Sequence, residues 1–324
     1  MRNRRLIALG VAAVAAVSLS GCGALDTIGS LGTEAILNSE LGSLASTLEA
    51  IPGIDDADYV IALQADLRYT VGVTAASSGL AEDDAQAALA AVTAAFASDT
   101  LADQPSLQFW VSGENAQTIL SVSDWATFPT EVIPDEIAYL YALQDAAGVD
   151  LSMSLSAPSD AEVDYFRNIG SPDLPDASGL AAAREVADTA ATDGKGWNFA
   201  GVFMDGAIIP VELEPVAVRI AAIEGVSLSW SDEFSAYDLN WDPSDPEHGE
   251  NFTVLPEWPA VVELMSAVLN SETGFSLLQV SSDGASLALH SGDCGEPEGS
   301  EQEVALAGQF AAVGIHLYPG YCLA

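Results

Sequence analysis

The stretch Val216-Ala217-Val218-Arg219-Ile220-Ala221-Ala222-Ile223-Glu224-Gly225-Val226 decides the fold class of this chain. Val216, Ile220 and Ile223 recur at three- and four-residue steps, the period of a helix with one buried stripe. Gly225 supplies the left-handed backbone that ends a helix. Val226 then opens the alternating run Val226-Ser227-Leu228-Ser229-Trp230, the pattern of a strand buried on one face. The same junction recurs at Pro52-Gly53-Ile54, Ala147-Gly148-Val149 and Val313-Gly314-Ile315. A junction repeated along one chain is the mark of a repeat architecture.

Working outward, two strand-like runs follow each helix, Tyr59 to Gln64 and Leu67 to Thr74 near the start, Val226 to Ser231 and Phe234 to Trp241 later on. A second, Ala-rich helix comes next, and the first two copies enter it with identical words, Ser78-Gly79-Leu80-Ala81 and Ser178-Gly179-Leu180-Ala181. A hairpin closes each copy, and Asp205-Gly206 and Asp283-Gly284 provide the positive φ angles of a tight turn. The expected fold class is α+β: three α-β-β-α-β-β units of about 80 residues, with helices on small, mainly antiparallel sheets. The expected boundaries are unit one at 39–125, unit two at 134–213, unit three at 214–291 and a partial unit at 292–324. Crowding by Pro158, Pro172 and Pro175 makes the second strand of unit two the least regular.

The N-terminus has Arg2, Arg4 and Arg5, an apolar run from Leu6 to Val17, and then Leu19-Ser20-Gly21-Cys22. This arrangement resembles the leader and lipobox of bacterial lipoproteins. The apolar run is short of the ~20 residues a membrane-crossing helix needs. The resemblance implies acylation of the Cys22 thiol, cleavage before it, and a protein held by lipid at the extracytoplasmic face of the cell membrane. Residues 1–21 are then a signal peptide and residues 22–38, rich in Gly, Ser, Thr and Leu, a lipidated tether. The repeats in turn resemble BON domains, small envelope modules, through element order and the words Ile51-Pro52-Gly53-Ile54 and Ile223-Glu224-Gly225-Val226. That resemblance implies a non-catalytic, envelope-facing module that binds partners or lipid surfaces.

Charge narrows the partners. Of 8 basic side chains three leave with the leader, so Arg68, Arg167, Arg184, Lys195 and Arg219 face 48 carboxylates, a formal charge of −43. Nucleic-acid affinity comes mainly from Lys and Arg contacts with phosphate, so no nucleic-acid partner is expected. Anionic headgroups are repelled in the same way, which leaves the lipid on Cys22 as the membrane attachment. Cations and envelope proteins are the compatible partners.

No HExxH, GxSxG or phosphate-cradling Gly loop occurs, and no cofactor is implied. His290, with Ser291 and Asp293 close by, reads as a strand-end histidine, because members of a catalytic triad converge from separate elements. The cluster Asp55-Asp56-Asp58 reads as a solvated turn. The richest polar loop runs from Asp242 to Asn251. Its Asp242, Asp245, Glu247 and Glu250 are the oxygen type that calcium takes six to eight of, although the spacing is not that of an EF-hand. Trp110, Trp197, Trp230 and Trp241 fit core patterns, whereas Trp125 and Trp258 are expected at the surface. Together these readings favour a lipid-anchored binding or structural protein that is not an enzyme. The alternatives are a carboxylate-dependent extracytoplasmic hydrolase or a solute- or glycan-binding lipoprotein.

With Cys22 lipidated, Cys294 and Cys322 remain, an even count in an oxidising compartment. Their bridge would close a loop of roughly 27 residues and contribute about 3–4 kcal/mol. The lipid-modified protein should therefore give no maleimide adduct under denaturing, non-reducing conditions. Stoichiometric labelling at either position would remove the bridge.

Overall fold

The computed structural model describes residues 23–64, 68–104, 106–113, 118–157, 164–188, 195–206, 208–231, 236–244, 251–270, 274–282, 285–291 and 299–320. Cys22, Cys294, Cys322, Asp245, Glu247 and Glu250 lie outside them. Among the described residues no helix is long and apolar enough to cross a membrane.

The described elements repeat as one helix followed by two strands. The first copy is α1 (Gly23–Leu48), β1 (Ile54–Leu63) and β2 (Tyr69–Ser77). The second is α2 (Glu82–Phe96), a short α3 (Asp99–Ala102), β3 (Ser106–Ser112) and β4 (Thr118–Ser123). Next come α4 (Ile133–Ala147), β5 (Ser152–Ser156) and β6 (Phe166–Ser171), then α5 (Ala177–Asp188), β7 (Lys195–Phe199) and β8 (Val202–Asp205). The fifth and sixth copies are α6 (Glu214–Ala221), β9 (Val226–Ser231) and β10 (Ala236–Trp241), and α7 (Trp258–Leu269), β11 (Gly274–Ser282) and β12 (Ala285–His290). The last is begun by α8 (Glu301–Ala312) and ends on the two-residue β13 (Tyr318–Pro319).

All the strands form one 13-stranded sheet in chain order. The two strands of each hairpin run antiparallel, and up to β11 the second strand of one hairpin pairs in parallel with the first strand of the next, whereas β13 pairs antiparallel with β12. Examples are Val71 beside Leu107 and Ile169 beside Trp197. A parallel pair needs a crossover, and a helix supplies it. Crossovers of one hand put every helix on the same face. The strands show that one-sidedness: Leu107, Phe109 and Val111 of β3 are buried while Ser106, Gln108, Trp110 and Ser112 face the other way. Helix α1 matches with Leu37, Leu41, Leu44 and Leu48 buried at three- and four-residue steps, and a single apolar core runs along the helix side of the sheet.

This corrects the expected period. The repeat is α-β-β, half the expected unit, and the sheets are not small and separate but one continuous mixed sheet. Helix occupies the chain from Gly23. One further reading changes. Asp55, Asp56 and Asp58 lie exposed on β1, the outer strand of the sheet, rather than in a turn. Charges on an outer strand discourage pairing with another chain.

The helix-end glycines stand where the repeat requires them. Gly53, Gly148, Gly225 and Gly314 all have positive φ, between 68° and 87°. Two are also in close contact, since a Cβ on Gly53 would lie 2.6 Å from the Gly79 carbonyl oxygen and one on Gly225 2.1 Å from that of Asp242. The identical words at Gly79 and Gly179 have a related reason. Gly79 lies against Gly53, and a Cβ on Gly179 would fall 2.3 Å from the carbonyl oxygen of Ala147, the last residue of α4. Each marks the point where the chain leaving a hairpin passes the end of the preceding helix.

Three arginines join separate elements, two of them across copies and one within a copy. The Arg184 guanidinium donates to the Ile209 carbonyl and pairs with Glu214 at 2.7 Å, linking α5 to the entry of α6. Arg219 reaches Glu263 at 3.4 Å between α6 and α7, an exposed pair worth little. The third is buried: Arg167 Nη1 donates to both carboxylate oxygens of Glu136, at 2.9 and 2.7 Å. The Tyr165 hydroxyl donates to the same carboxylate at 2.5 Å, and the Tyr139 ring lies 4.2 Å from the guanidinium carbon. Burial, with the carboxylate as acceptor, holds the Tyr165 phenol well above its ordinary pKa.

Breaking a buried pair from one side leaves the other charge uncompensated, at about 3–5 kcal/mol, whereas an apolar pair of similar volume is often neutral. Arg167→Ala should lose that much in chemical denaturation, and Glu136→Leu combined with Arg167→Met should recover most of it. A loss below about 1 kcal/mol for Arg167→Ala would mean the pair does not hold α4 to β6.

Candidate functional site

The face of the sheet away from the helices is the candidate surface, and strand alternation dictates its chemistry. Every second residue of β4 to β8 points to it, and most of these residues are small and polar, with Phe166 and Phe203 as exposed apolar rings among them. Register lines them up in rows across the strands. One row is Thr74, Trp110, Ser121, Ser154, Asn168, Gly196 and Asp205. The next is Ser152, Gly170, Asn198, Phe203, Ser229 and Asp238. The rows border a groove of about 530 Å³ over β4 to β8.

Two glycines deepen the groove. A Cβ on Gly196 would lie 1.9 Å from Asn168 Oδ1, so the amide of Asn168 occupies the space above that glycine. A Cβ on Gly170 would lie 3.0 Å from the Asn198 backbone oxygen and 3.6 Å from Ser152 Oγ. Part of the floor is knit together internally: Ser121 Oγ donates to Ser154 Oγ at 2.9 Å, and Ser152 Oγ donates to the Gly170 carbonyl at 3.0 Å. Asn198 Oδ1 differs, being shielded from solvent with no donor within reach. An acceptor left in that state costs about 1–3 kcal/mol. Beside Asn198, Phe203 stands 43% exposed, the most exposed apolar ring of this face. Asp205 is exposed at the edge and is the one carboxylate among the lining residues.

Trp110 corrects an expectation. It does not join the core with Phe109 but turns to the helix-free face, and its benzo edge lies over Gly72, where a Cβ would come 2.7 Å from Cζ3. The two tryptophans expected at the surface are buried. Trp125 meets Phe96 edge-on at 5.2 Å, and Trp258 lies 4.7 Å from Phe310, a residue of α8. Trp197 and Trp241 are in the core as their patterns indicate.

A second cavity, about 510 Å³, opens between the Ser77–Ala81 loop, Gly113, α4 and Asp150. Its polar groups already serve the fold. The Tyr141 hydroxyl donates to the Leu80 carbonyl at 2.5 Å, and Gln144 Oε1 accepts from the Leu151 amide at 3.2 Å. Burial, with Glu82 and Asp84 nearby, pushes the Tyr141 phenol up to about 12.

Of the expected calcium ligands only Asp242 is described, exposed at the end of β10 with its N–H on the Gly225 carbonyl. Asn251, expected to support them, uses Oδ1 to accept from the Thr253 amide and hydroxyl at 3.2 and 2.7 Å. Among the described residues no three metal-ligating side chains come together. His290 is the last residue of β12, as its strand-end reading has it, and is buried and stacked on Tyr318 with ring centroids 5.6 Å apart. No family model, curated protein or solved structure matches the chain.

Gly72→Ala should displace the Trp110 indole from its position over the sheet. The expected result is a changed near-UV circular dichroism signal that is absent when the same substitution is made in Trp110→Phe. An unchanged signal would mean the ring does not rest on that glycine.

Proposed function

We propose that this chain is a lipid-anchored protein of the extracytoplasmic face of the cell membrane with a non-catalytic binding or structural role, and that its working surface is the helix-free sheet face over β4 to β8. The anchor part of the reading rests on the charged, apolar and small-residue order of the leader and on Cys22 at the end of the lipobox-like run. The binding part rests on one observation, a groove of about 530 Å³ on the helix-free face, bordered by Ser121, Ser154, Asn168, Asn198 and Asp205 together with the apolar Phe203. Envelope modules that bind partners, as the BON resemblance implies, are compatible with it.

The rival reading is a two-carboxylate hydrolase, which needs its acids about 5–9.5 Å apart across the substrate. The groove offers Asp205 as the carboxylate of its lining, which favours binding over hydrolysis.

Cys22→Ser should release the protein from membranes and abolish incorporation of a fatty-acid analogue in growing cells. A mutant that is still labelled would refute the anchor. For the surface, a photo-crosslinking side chain at Phe203, on the open face, should form adducts in intact cells that one at Val218, exposed on α6, does not. Equal yields from both, or none from position 203, would remove the open face from the reading.

A further inference from the structure

We infer that the groove over β4 to β8 takes a neutral carbohydrate, with Phe203 as the stacking surface and Asn198, Asn168 and Asp205 as the hydroxyl-binding groups. This inference rests on the open-face reading just given and names its ligand class.

Charge excludes much of the field. The mature chain carries −43 and the groove has Asp205 at its edge, so an anionic ligand approaches against the field and finds no cation among the lining residues. A simple cation would require converging carboxylates, and the lining presents one. What remains is an uncharged ligand able both to give and to accept hydrogen bonds.

The lining suits that ligand. Serine and threonine hydroxyls and asparagine amides each donate and accept, as sugar hydroxyls do, and a carboxylate can accept from two hydroxyls at once. Adjacent positions in a row are separated by the strand spacing of about 4.8 Å, so one ligand reaches several of them. Asn198 Oδ1 is an acceptor of the lining whose needs the protein leaves unmet. The terminal amide torsion of asparagine is soft, so this oxygen can turn to the groove and accept from a ligand hydroxyl. Directly beside Asn198 in register is Phe203, 43% exposed, where the C–H face of a sugar ring would lie. An apolar ring flanked by amides and a carboxylate fits a ligand with one apolar face and a hydroxyl rim.

The test uses the lipid-modified full chain in detergent and calorimetric titration with neutral hexose and pentose oligosaccharides, a uronic-acid oligomer and a Ser/Gly-rich peptide. At least one neutral oligosaccharide should bind saturably, and its affinity should hold from low salt to about 0.5 M, because no ion pair is screened. Phe203→Ala and Asn198→Leu should each weaken it about tenfold or more. Because Phe203 is exposed, its variant should melt with the wild type, which separates lost binding from lost folding. Binding of only the uronate or the peptide, affinity that falls steeply with salt, or variants that bind like the wild type would overturn the carbohydrate assignment. If no oligosaccharide binds while position 203 still forms adducts in cells, the ligand class fails and the open-face reading stands. If both fail, neither stands.

Discussion

The structure depends on the parallel pairing that joins one hairpin to the next. A hairpin alone satisfies only its inner hydrogen-bonding edge, and a two-stranded hairpin is marginal in water. Here each hairpin presents its outer edges to neighbours on both sides, and a helix of 8 to 15 residues carries the chain back so that the next strand enters in parallel. The chain must turn from helix into strand for this to work: Gly148 caps α4 in the left-handed conformation, and the positive-φ Gly225 stands in the turn between α6 and β9. Where Gly53 and Gly225 also touch the chain beyond the hairpin, one residue serves the turn and close packing together.

A one-sided sheet divides labour between its faces. The helix side carries the apolar core, and its two buried carboxylates are met: Glu136 by Arg167 and Tyr165, and Glu303 by the Ser300 and Ala288 amides. The Glu303 carboxylate closes a capping box on α8 while accepting from an N–H of β12, where the adjoining β13 is too short to cover the whole strand. With 8 basic side chains against 48 acids, cations are scarce, and Arg167 and Arg184 are placed across element boundaries. The other face is left to small polar side chains, and the groove lies there.

Local order was legible in the sequence. Helix-strand junctions and the phase of Val226, Leu228 and Trp241 follow from periodicity and from glycine, both of which act over a few residues, but the hairpin turn expected at Asp205-Gly206 falls instead at Ala200-Gly201, both with positive φ, and Asp205 ends β8. The continuity of the sheet was not legible, because nothing local to β2 or β3 specifies that Val71 lies beside Leu107. The same limit hid the buried pair, since Glu136 and Arg167 sit in ordinary helical and strand contexts and meet only through tertiary packing. Trp125 and Trp258 were misjudged because Phe96 and Phe310, which cover them, lie in other elements. The groove itself could be read in retrospect from the Ser-x-Ser-x-Ser of β5 and the Gly-x-Asn of β7, but only once those strands were known to be neighbours.

The two-residue β13 has a consequence for how the molecule comes apart. In a linear array each unit is held by its immediate neighbours, so opening starts at whichever end is least well held and advances unit by unit. At the N-terminal end, β1 pairs with β2 along nine residue pairs and α1 packs beneath both strands. At the other end β13 contributes two pairs to β12. The C-terminal end is therefore where the array frays first, with β12 and α8 loosening before the hairpins that carry the groove. The strands β4 to β8 lie in the middle of the array, separated from β13 by four strands and from the acidic outer strand β1 by two, and belong to the part that opens slowest.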